Sequence, residues 1–493
     1  MRTAFNDGLL GQPRRLAAVL VITALCALAL SADPGVRRAQ ASSNGKADGS
    51  GGRAVAHRSG GRRIMAPAVT SKAPDARLFR IGVDSGEPTI GLTKDGSVFT
   101  VAIQTNTRVE VVRSPDRGRT WNIVSPKFPN GRNAQLLSFD PYLYVDKWTD
   151  RVYTIDLTIA CSYLSFTDDR AETWVTNPLA CGRPVNDHQT LFSGPPVLSS
   201  PTGYKNVVYY CWNDVVTSSC SKSLDGGITF APTTPAFTGA DPDNPGQTCG
   251  GLHGHGVVGY DGTVYLPRGY CGQPFLAISK DEGATWTRVQ VAKNGIIGHE
   301  AGVAVDKKRN IYYTWIGRDR LPYLAVSKNG GKSFSRPMMV GPPGIKEANI
   351  PGIDAGDPGK IAIVYMGSTN SPFKPGKFED DECTLLTSCP APKQYDKTTW
   401  NGYMTISANA LAKDPIFYTG SVNDPGDPLK RKNCGPGRCG TSVYDFLDIV
   451  VGPDGAAWAS FVDACITVCA TSPSGDIGAD GVVGRLVGGP KLR

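Results

Sequence analysis

The octad Ser114-Pro115-Asp116-Arg117-Gly118-Arg119-Thr120-Trp121 recurs along the chain in related copies, and this recurrence indicates the fold. Each copy has Asp or Asn third, Gly or Ala fifth and an aromatic ring eighth. The other copies are Thr167–Trp174, Ser223–Phe230, Ser279–Trp286 and Ser327–Phe334. Successive copies begin 53, 56, 56 and 48 residues apart, and a fixed period of this length indicates a repeat architecture.

The octad has the chemistry of a hairpin turn. A short acidic or amide side chain accepts backbone N–H groups in a tight loop, and Gly supplies a positive φ. The following Thr and aromatic residue then begin the next strand. We therefore predict structural turns rather than sites at the third octad positions, which are Asp116, Asp169, Asp225, Asp281 and Asn329.

A second repeat precedes the octads. It consists of a polar opening, an apolar strand, a turn and another apolar strand, as in EPTIGLTKDGSVFTVAI from Glu87 to Ile103. Seven such units of about 58 residues, each with about four strands, predict an all-β fold. The expected architecture is a seven-bladed β-propeller of four-stranded antiparallel blades, with a six-bladed propeller as the alternative.

The seventh unit is incomplete, with a weak third strand near 482–487. A strand near Ala76 to Gly82 would supply its missing outer strand and close the ring. The predicted organisation is a signal peptide over 1–41, a flexible low-complexity linker over 42–74 and a propeller over 75–493.

Composition and targeting agree with this organisation. Gly (58) and Pro (37) are abundant but show no three-residue period, which excludes collagen, and the hydrophobic share of 40% argues against disorder. Arg14 and Arg15 precede an apolar run that ends at Leu30, followed by small residues and the cleavage-type triplet Ala39-Gln40-Ala41. We expect a secreted or extracytoplasmic protein, tethered to the cell envelope if the signal is uncleaved and otherwise without an integral membrane domain.

Charge gives little indication of a partner. Cleavage after Ala41 removes five Lys/Arg and two Asp/Glu, so the formal net charge falls from +8 to +5. A net charge of +5 spread over the whole mature chain is too low to predict binding to nucleic acid. The partner expected is a carbohydrate or a cell-envelope polymer, bound by a monomer.

Cysteine usage fits an oxidising compartment. Outside the signal segment twelve of the 13 Cys remain, enough for six disulfides. Cys211 and Cys220 flank a turn between two strand-like runs and are placed to face each other across a hairpin. Three more local pairs are candidates, namely Cys383 with Cys389, Cys434 with Cys439, and Cys465 with Cys469.

The octads match the Asp-box, or bacterial neuraminidase repeat, and the chain resembles secreted sialidase-like propellers over about residues 80–490. A sialidase site, as this resemblance implies, needs three arginines, an Asp acid/base and a Tyr nucleophile assisted by Glu. The first arginine and the Asp acid/base are not found at the matching stretches near Glu87 and Gln104. Glu300 and Arg318 fit the assisting Glu and one arginine, while Tyr365 and Tyr403 lie in no recognisable motif.

The residues themselves indicate a site at the inner rim. In a propeller the inner strands line the central channel, so the polar residues that open them converge on one face. Four of the five His belong to this set. Its members are Glu87, Asp140, Asp187, His188, His253, His255, His299 and Asp445, with Asn349 at a further opening.

Two interpretations of this rim remain open. Imidazoles and carboxylates could bind a ligand, perform acid/base chemistry or hold a channel-mouth metal ion, whose ligands are unknown, although no cofactor is expected. Alternatively, they are solvated residues that hold strand ends in register. The functions predicted are glycan or extracellular-ligand binding, then exo-α-sialidase-type hydrolysis, then a structural or protein-interaction module. Whether the chain is an enzyme stays open.

Overall fold

The computed structural model describes most of the propeller region. The described residues are 56–59, 62–65, 75–104, 108–128, 130–131, 134, 138, 140–157, 161–181, 187–214, 217–240, 249, 251–297, 301–373, 397–431, 447–465 and 478–493. Within the expected linker, β1 (Ala56–Ser59) and β2 (Arg62–Met65) form a small hairpin. No helix long and apolar enough to cross a membrane occurs in the part of the chain that is described.

The first three blades each run from an inner to an outer strand. Blade one is β4 (Ile90–Leu92), β5 (Val98–Gln104), β6 (Arg108–Ser114) and β7 (Asn122–Ile123); blade two is β8 (Tyr142–Val145), β9 (Val152–Leu157), β10 (Cys161–Thr167) and β11 (Val175–Cys181); blade three is β12 (Asp187–Gly194), β13 (Val207–Asn213), β14 (Ser218–Ser223) and β15 (Ala231–Pro232). All neighbouring strands pair antiparallel.

Blades four to six repeat this order. Blade four is β16 (Val257–Val258), β17 (Val264–Tyr270), β18 (Gln273–Ser279) and β19 (Thr287–Gln290); blade five is β20 (Ala301–Val305), β21 (Ile311–Ile316), β22 (Pro322–Ser327) and β23 (Met338–Met339); blade six is β24 (Glu347–Ala355), β25 (Ile361–Ser368), β26 (Thr399–Ser407) and β27 (Tyr418–Ser421), with β28 (Lys430–Arg431) also on β26.

The seventh blade combines the two ends of the propeller. It contains β29 (Asp448–Val451), β30 (Ala457–Asp463) and β31 (Asp480–Val487), and its outer strand is β3 (Asp75–Asp84). Arg80 of β3 forms ion pairs with Asp463 (2.9 Å) and Asp480 (2.8 Å). The predicted closure by a strand after the linker is therefore confirmed.

The ring is closed at its centre as well. Each inner strand contacts the inner strand of the next blade, and β29 contacts β4. The expectation of seven four-stranded antiparallel blades is confirmed, and the six-bladed alternative is wrong.

The core lies between the faces of adjacent blades. The central strands are buried on both faces, as in β13, where all seven residues of VVYYCWN are buried. Between blades four and five, Tyr265 and Leu276 pack in one apolar cluster with Val303 and Tyr313. The outer strands β7 and β15 are exposed, which explains their weak sequence signal.

The five octads share one hydrogen-bond pattern. In the third octad, Asp225 Oδ1 accepts from the backbone N of Thr229 (2.9 Å) and from Ser223 Oγ (2.7 Å), and Asp225 Oδ2 accepts from Thr229 Oγ1 (2.6 Å). Gly227 has φ 104° and donates its N–H to Ser223 Oγ (2.8 Å). In the fifth octad Asn329 accepts the equivalent backbone N–H from Ser333 (3.0 Å).

The disulfide predicted between Cys211 and Cys220 is confirmed, and the two residues face each other across β13 and β14. A second bond, Cys249–Cys271, was not anticipated, because its two residues are not local in sequence. Cys465 is disulfide-bonded. The other candidates, Cys383, Cys389, Cys434, Cys439 and Cys469, lie outside the described residues.

Candidate functional site

The candidate site lies on the entry face, which we define as the end of the ring where β4, β8, β12, β16, β20, β24 and β29 begin. The opposite end, where the turns from each inner strand to the second strand lie, is the exit face. Because all inner strands run in the same direction, polar residues that precede them reach the same end of the channel.

Three blades meet at the channel axis on the entry face. His255 precedes β16, Asp448 begins β29 and Tyr142 begins β8. His255 Nδ1 lies 3.8 Å from Asp448 Oδ1, and the Tyr142 ring meets the imidazole edge-on with centroids 4.9 Å apart. Asp448 Oδ2 also accepts the backbone N–H of Ile90 (3.1 Å), which ties blade seven to blade one. We call these three residues the entry constriction.

Below the entry constriction the channel holds a cavity of about 170 Å³. Aliphatic side chains of the inner strands form much of its wall, and Tyr142, His255 and Asp448 are among its polar lining residues. The side chains of His255 and Asp448 are 21% and 20% exposed, so both can reach a ligand. A few polar groups on an apolar wall are typical of a small-molecule pocket.

A pair of carboxyl groups lies beside this constriction. Asp140 is buried before β8, and its Oδ2 accepts the backbone N–H of His188 (3.0 Å). Burial, together with the charge of and a hydrogen bond to the Asp187 carboxyl group, raises the pKa of Asp140 to about 8. The raised pKa favours the protonated form of Asp140, which can act as a hydrogen-bond donor or a proton source.

Two buried histidines lie against each other behind the carboxyl pair. The rings of His188 and His253 meet edge-on with centroids 5.7 Å apart. His253 Nδ1 donates to the carbonyl oxygen of Gly254 (2.9 Å), because a carbonyl can only accept. Burial lowers the pKa of His253 well below its usual range, and the positive charge of a protonated His188 or of Arg268 would lower it further. Its Nε2 thus carries a lone pair, and no partner for it is found among the described residues.

Arg268 is a buried cation next to this pair. It is the β-bridge partner of His253, donates to Ser218 Oγ (3.2 Å) and lies over the ring of Phe237 (5.4 Å). Burial lowers the pKa of Arg268 to about 10, so the group keeps its charge at neutral pH.

The entries of three inner strands are backbone-strained. Glu87, His188 and Ile350 have φ values of 47°, 50° and 56°, in the left-handed region that non-glycine residues avoid. Two of these entries also contain register shifts, between Asp187 and Thr190 and between Asn349 and Gly352. Such conformations tend to collect at ligand sites and support a functional role for the entry face.

The structure brings together only some of the predicted rim residues. Asp140, Asp187, His188 and His253 form one group, and His255 belongs to the neighbouring entry constriction. Glu87 is buried before β4. His299, Glu300 and Asp445 lie outside the described residues. No group of three or more His, Cys, Asp or Glu suited to a metal ion occurs among those that are described.

Of the predicted sialidase-type residues, Arg318, Tyr365 and Tyr403 belong to the described part of the chain, and Glu300 does not. Arg318 lies in the turn between β21 and β22. Its guanidinium packs against Gly272, where an added Cβ would lie 2.8 Å from Nη2. Tyr365 is buried within blade six, where its hydroxyl lies 3.0 Å from Thr405 Oγ1. The Tyr403 ring stacks on Tyr365 in the same sheet.

Three residues of the site were missed from the sequence. Arg268 stands inside the otherwise apolar run VYLPRGY, and a buried charge in such a run is a signal that could have been used. Tyr142 resembled an ordinary strand residue, and Asp448 resembled the polar end of a strand. No local feature of the sequence indicates that these last two converge with His255.

Fold and site together define a seven-bladed β-propeller with a polar constriction at the entry to its channel. No family model matches the chain, and no curated protein matches it.

Solved structures similar to the chain include a protein of unknown function from Dyadobacter fermentans DSM 18053, with TM-score 0.41, 15% identity, and coverage of 84% of this chain and 99% of that one. The intramolecular trans-sialidase from Ruminococcus gnavus in complex with oseltamivir carboxylate has TM-score 0.40 and 14% identity, and covers 83% and 96%. The Aleuria aurantia lectin in complex with Fucα1-6GlcNAc has TM-score 0.38 and 9% identity, and covers 60% and 91%. Identities and TM-scores of this size assign no activity to the chain.

Proposed function

We propose that this propeller binds a carbohydrate at the entry face of its channel. The observation that carries the proposal is the entry constriction, where Tyr142, His255 and Asp448 from three blades meet above a cavity of about 170 Å³. A disulfide in blade three and the signal-like segment 1–41 support a role outside the cytoplasm, so the ligand expected is a cell-surface or extracellular glycan.

The chemistry of the constriction suits a sugar. Sugar hydroxyls both donate and accept hydrogen bonds, and a partly exposed imidazole beside a carboxylate offers both partners. The Tyr142 ring and the aliphatic wall provide apolar surface for the C–H faces of the ring. Buried Asp140, His188 and His253 hold the entries of β8, β12 and β16 in position behind it.

Binding of the full chain to an array of bacterial, plant and animal glycans, followed by titration calorimetry with the best ligand, tests this proposal. His255→Ala and Asp448→Asn are each expected to weaken binding about tenfold or more, because the first removes a hydrogen-bonding ring and the second removes the charge that strengthens hydrogen bonds from sugar hydroxyls. Glu172→Gln, on an exposed octad turn, is the matched control and should bind normally. Absence of any glycan ligand, or normal affinity in both entry variants, would contradict the proposal.

Hydrolysis of a glycan is the second candidate, favoured by the raised pKa of Asp140, which makes this residue a proton source. Its hydrogen bond to Asp187 holds these two carboxyl groups closer than the roughly 5 Å or more between the catalytic pair of a glycoside hydrolase, so the second carboxylate has to come from another residue. Fluorogenic sialosides and other aryl glycosides test it with Asp140→Asn, and Glu300→Gln tests the sialidase-type assignment of Glu300 with Arg318. If none of these substrates turns over while glycans still bind, hydrolysis is wrong and binding stands.

A further inference from the structure

The exit face holds a second cavity, of about 210 Å³, at the other end of the channel. We call it the exit mouth and define it by Lys147, Trp148, Tyr260, Lys307, Asp357 and Arg493. These residues come from the inner turns of blades two, four, five and six and from the segment after β31. None of them belongs to the entry constriction.

Three cationic side chains surround the exit mouth. Lys307 and Arg493 are exposed, and Lys147 is half-buried. Among the described residues, no carboxylate lies within ion-pairing distance of any of the three, whereas the neighbouring Lys360 does pair with Asp357 (3.4 Å). Side chains that carry charge without a partner, around one concave opening, attract an ion of the opposite sign.

Aromatic rings hold the Lys147 ammonium. Its Nζ lies 4.4 Å from the ring centroid of Trp148 and 4.5 Å from that of Tyr260. The backbone carbonyl of Trp148 accepts from Lys94 Nζ (2.8 Å) and Lys205 Nζ (3.0 Å), which fixes this turn and adds positive charge around it. The rings therefore position Lys147 although its ammonium group forms no ion pair with a carboxylate of the described residues.

The nearby acidic groups are occupied by the protein's own donors. Asp146 accepts from the backbone N of Trp148 (2.7 Å) and from Asn206 Nδ2 (2.8 Å). Asp306 accepts from Tyr312 OH (2.7 Å) and from Asn310. Inside the channel, Asp354 accepts the backbone N–H of Val451 (2.7 Å), and burial raises its pKa. The free hydrogen-bonding capacity at the mouth therefore belongs mainly to cations.

From this arrangement we propose that the exit mouth is an anion site that binds an oxyanion group, a carboxylate or a phosphate, of a small ligand. Lys147, Lys307 and Arg493 supply the charge-assisted hydrogen bonds, and the Trp148 and Tyr260 rings supply an apolar wall beside them. The cavity below the entry constriction also reaches Lys147, Trp148 and Arg493, so the two cavities share these residues. The anion site differs from the proposed glycan site in its charged groups, because Tyr142, His255 and Asp448 do not line the exit mouth.

Proton uptake accompanies anion binding at this site. Burial lowers the pKa of Lys147 to about 8. The positive charges of Arg493 and Lys307 also lower this pKa, and the negative charges of Asp354 and Asp146 raise it. A bound anion favours the charged form of Lys147 and raises this pKa. Binding near pH 8 therefore takes up a fraction of a proton, and affinity falls as the pH rises above about 8.

Titration calorimetry on the full chain at low ionic strength tests the proposal, with inorganic phosphate and glucuronate as probes and glucose as the neutral control. Lys147→Met is expected to weaken binding about tenfold and to abolish the proton uptake measured in buffers of different ionisation enthalpy. Lys307→Gln should weaken binding about threefold, since exposed charges contribute less. Lys332→Gln, an exposed lysine on an octad turn, is the matched control.

The outcomes are separable. Binding of either probe with loss in Lys147→Met supports the site, and the preferred probe identifies the carboxylate or the phosphate as its ligand group. Absence of binding by both probes, or an equal loss in Lys332→Gln, overturns the proposal, as does undiminished affinity in a Lys147→Met protein that melts like the wild type. His255→Ala should leave anion binding unchanged, so failure of the glycan proposal is distinguishable from failure of this one.

Discussion

His255 and Asp448 belong to blades four and seven, on different sides of the ring, yet His255 Nδ1 lies 3.8 Å from Asp448 Oδ1. Their contact narrows the channel at the entry face. Because Asp448 Oδ2 also binds the backbone of Ile90 in blade one, one carboxylate links three blades. The same residue is therefore both a ligand-binding candidate and a structural tie.

Replacing Asp448 separates these two roles. Asp448→Ala leaves the N–H of Ile90 without its acceptor and should destabilise the protein by about 1–3 kcal/mol in urea unfolding. Asp448→Asn keeps an oxygen acceptor and should cost less while still impairing ligand binding. An alanine variant as stable as the wild type would show that the tie to Ile90 contributes nothing.

The pKa of Asp140 predicts how stability changes with pH. A buried acid whose pKa rises from 3.8 to about 8 binds its proton more tightly when folded, so its contribution is fully present below about pH 4 and is lost as the pH rises to 8. The associated slope is up to about 1.4 kcal/mol per pH unit. Asp140→Asn, which mimics the protonated acid, should flatten the fall in stability between pH 4 and 8 in urea unfolding. An unchanged pH profile would mean that Asp140 is ionised in the folded protein.

The octad turns should tolerate Asn but not Ala. Asp225→Ala removes acceptors for Thr229 and Ser223 and should cost about 1–2 kcal/mol. Asp225→Asn should cost little, because Asn329 makes equivalent bonds in the fifth octad. Urea unfolding of both variants measures the difference, and equal loss in both would show that the carboxylate charge matters.

The ionisation of Asp225 adds a pH dependence to this turn. Burial raises the pKa of Asp225, but hydrogen bonds from Thr229 and Ser223 outweigh burial and lower this pKa overall. The stabilisation is present above pH 4 and is lost as the pH falls through the lowered pKa. The deficit of Asp225→Ala relative to wild type should therefore shrink in acid.

The Cys211–Cys220 bond constrains a short hairpin loop in the unfolded chain. By loop-closure entropy, the double variant Cys211→Ala with Cys220→Ala should lose about 2–3 kcal/mol of unfolding free energy. Reducing agent should also lower the unfolding free energy of the wild type, and it should lower that of the double variant by less. Equal sensitivity of both proteins to reductant would assign the effect to the remaining disulfides.

Closure of the ring depends on β3. A chain that begins at residue 75 should unfold as cooperatively as the full chain, whereas one that begins at residue 85 leaves the edge of β31 unpaired. We expect the shorter chain to unfold over a broader urea range and to associate in gel filtration. If both chains unfold alike, blade seven does not need its outer strand.

The blades could be predicted from the sequence, because each hairpin turn is formed by a few adjacent residues and these residues recur along the chain. The octads at Asp116 to Asn329 predicted the hairpin turns and their spacing, and the second repeat predicted seven units of about four strands each. The Cys211–Cys220 pairing and the closing strand near Ala76 followed from the same pattern, since each is fixed by neighbours on one sheet.

The residues of the site come together only when the blades close into a ring. Asp445, predicted to open the last inner strand, lies outside the described residues, whereas pairing with β30 starts β29 at Asp448 and brings that residue to His255. The pairing of Arg268 with His253 likewise appears only in the folded chain. The exit mouth around Lys147 is formed by turns from several blades. Distances across the channel are set by how many blades close the ring and how each one tilts, and no local pattern of residues encodes those distances.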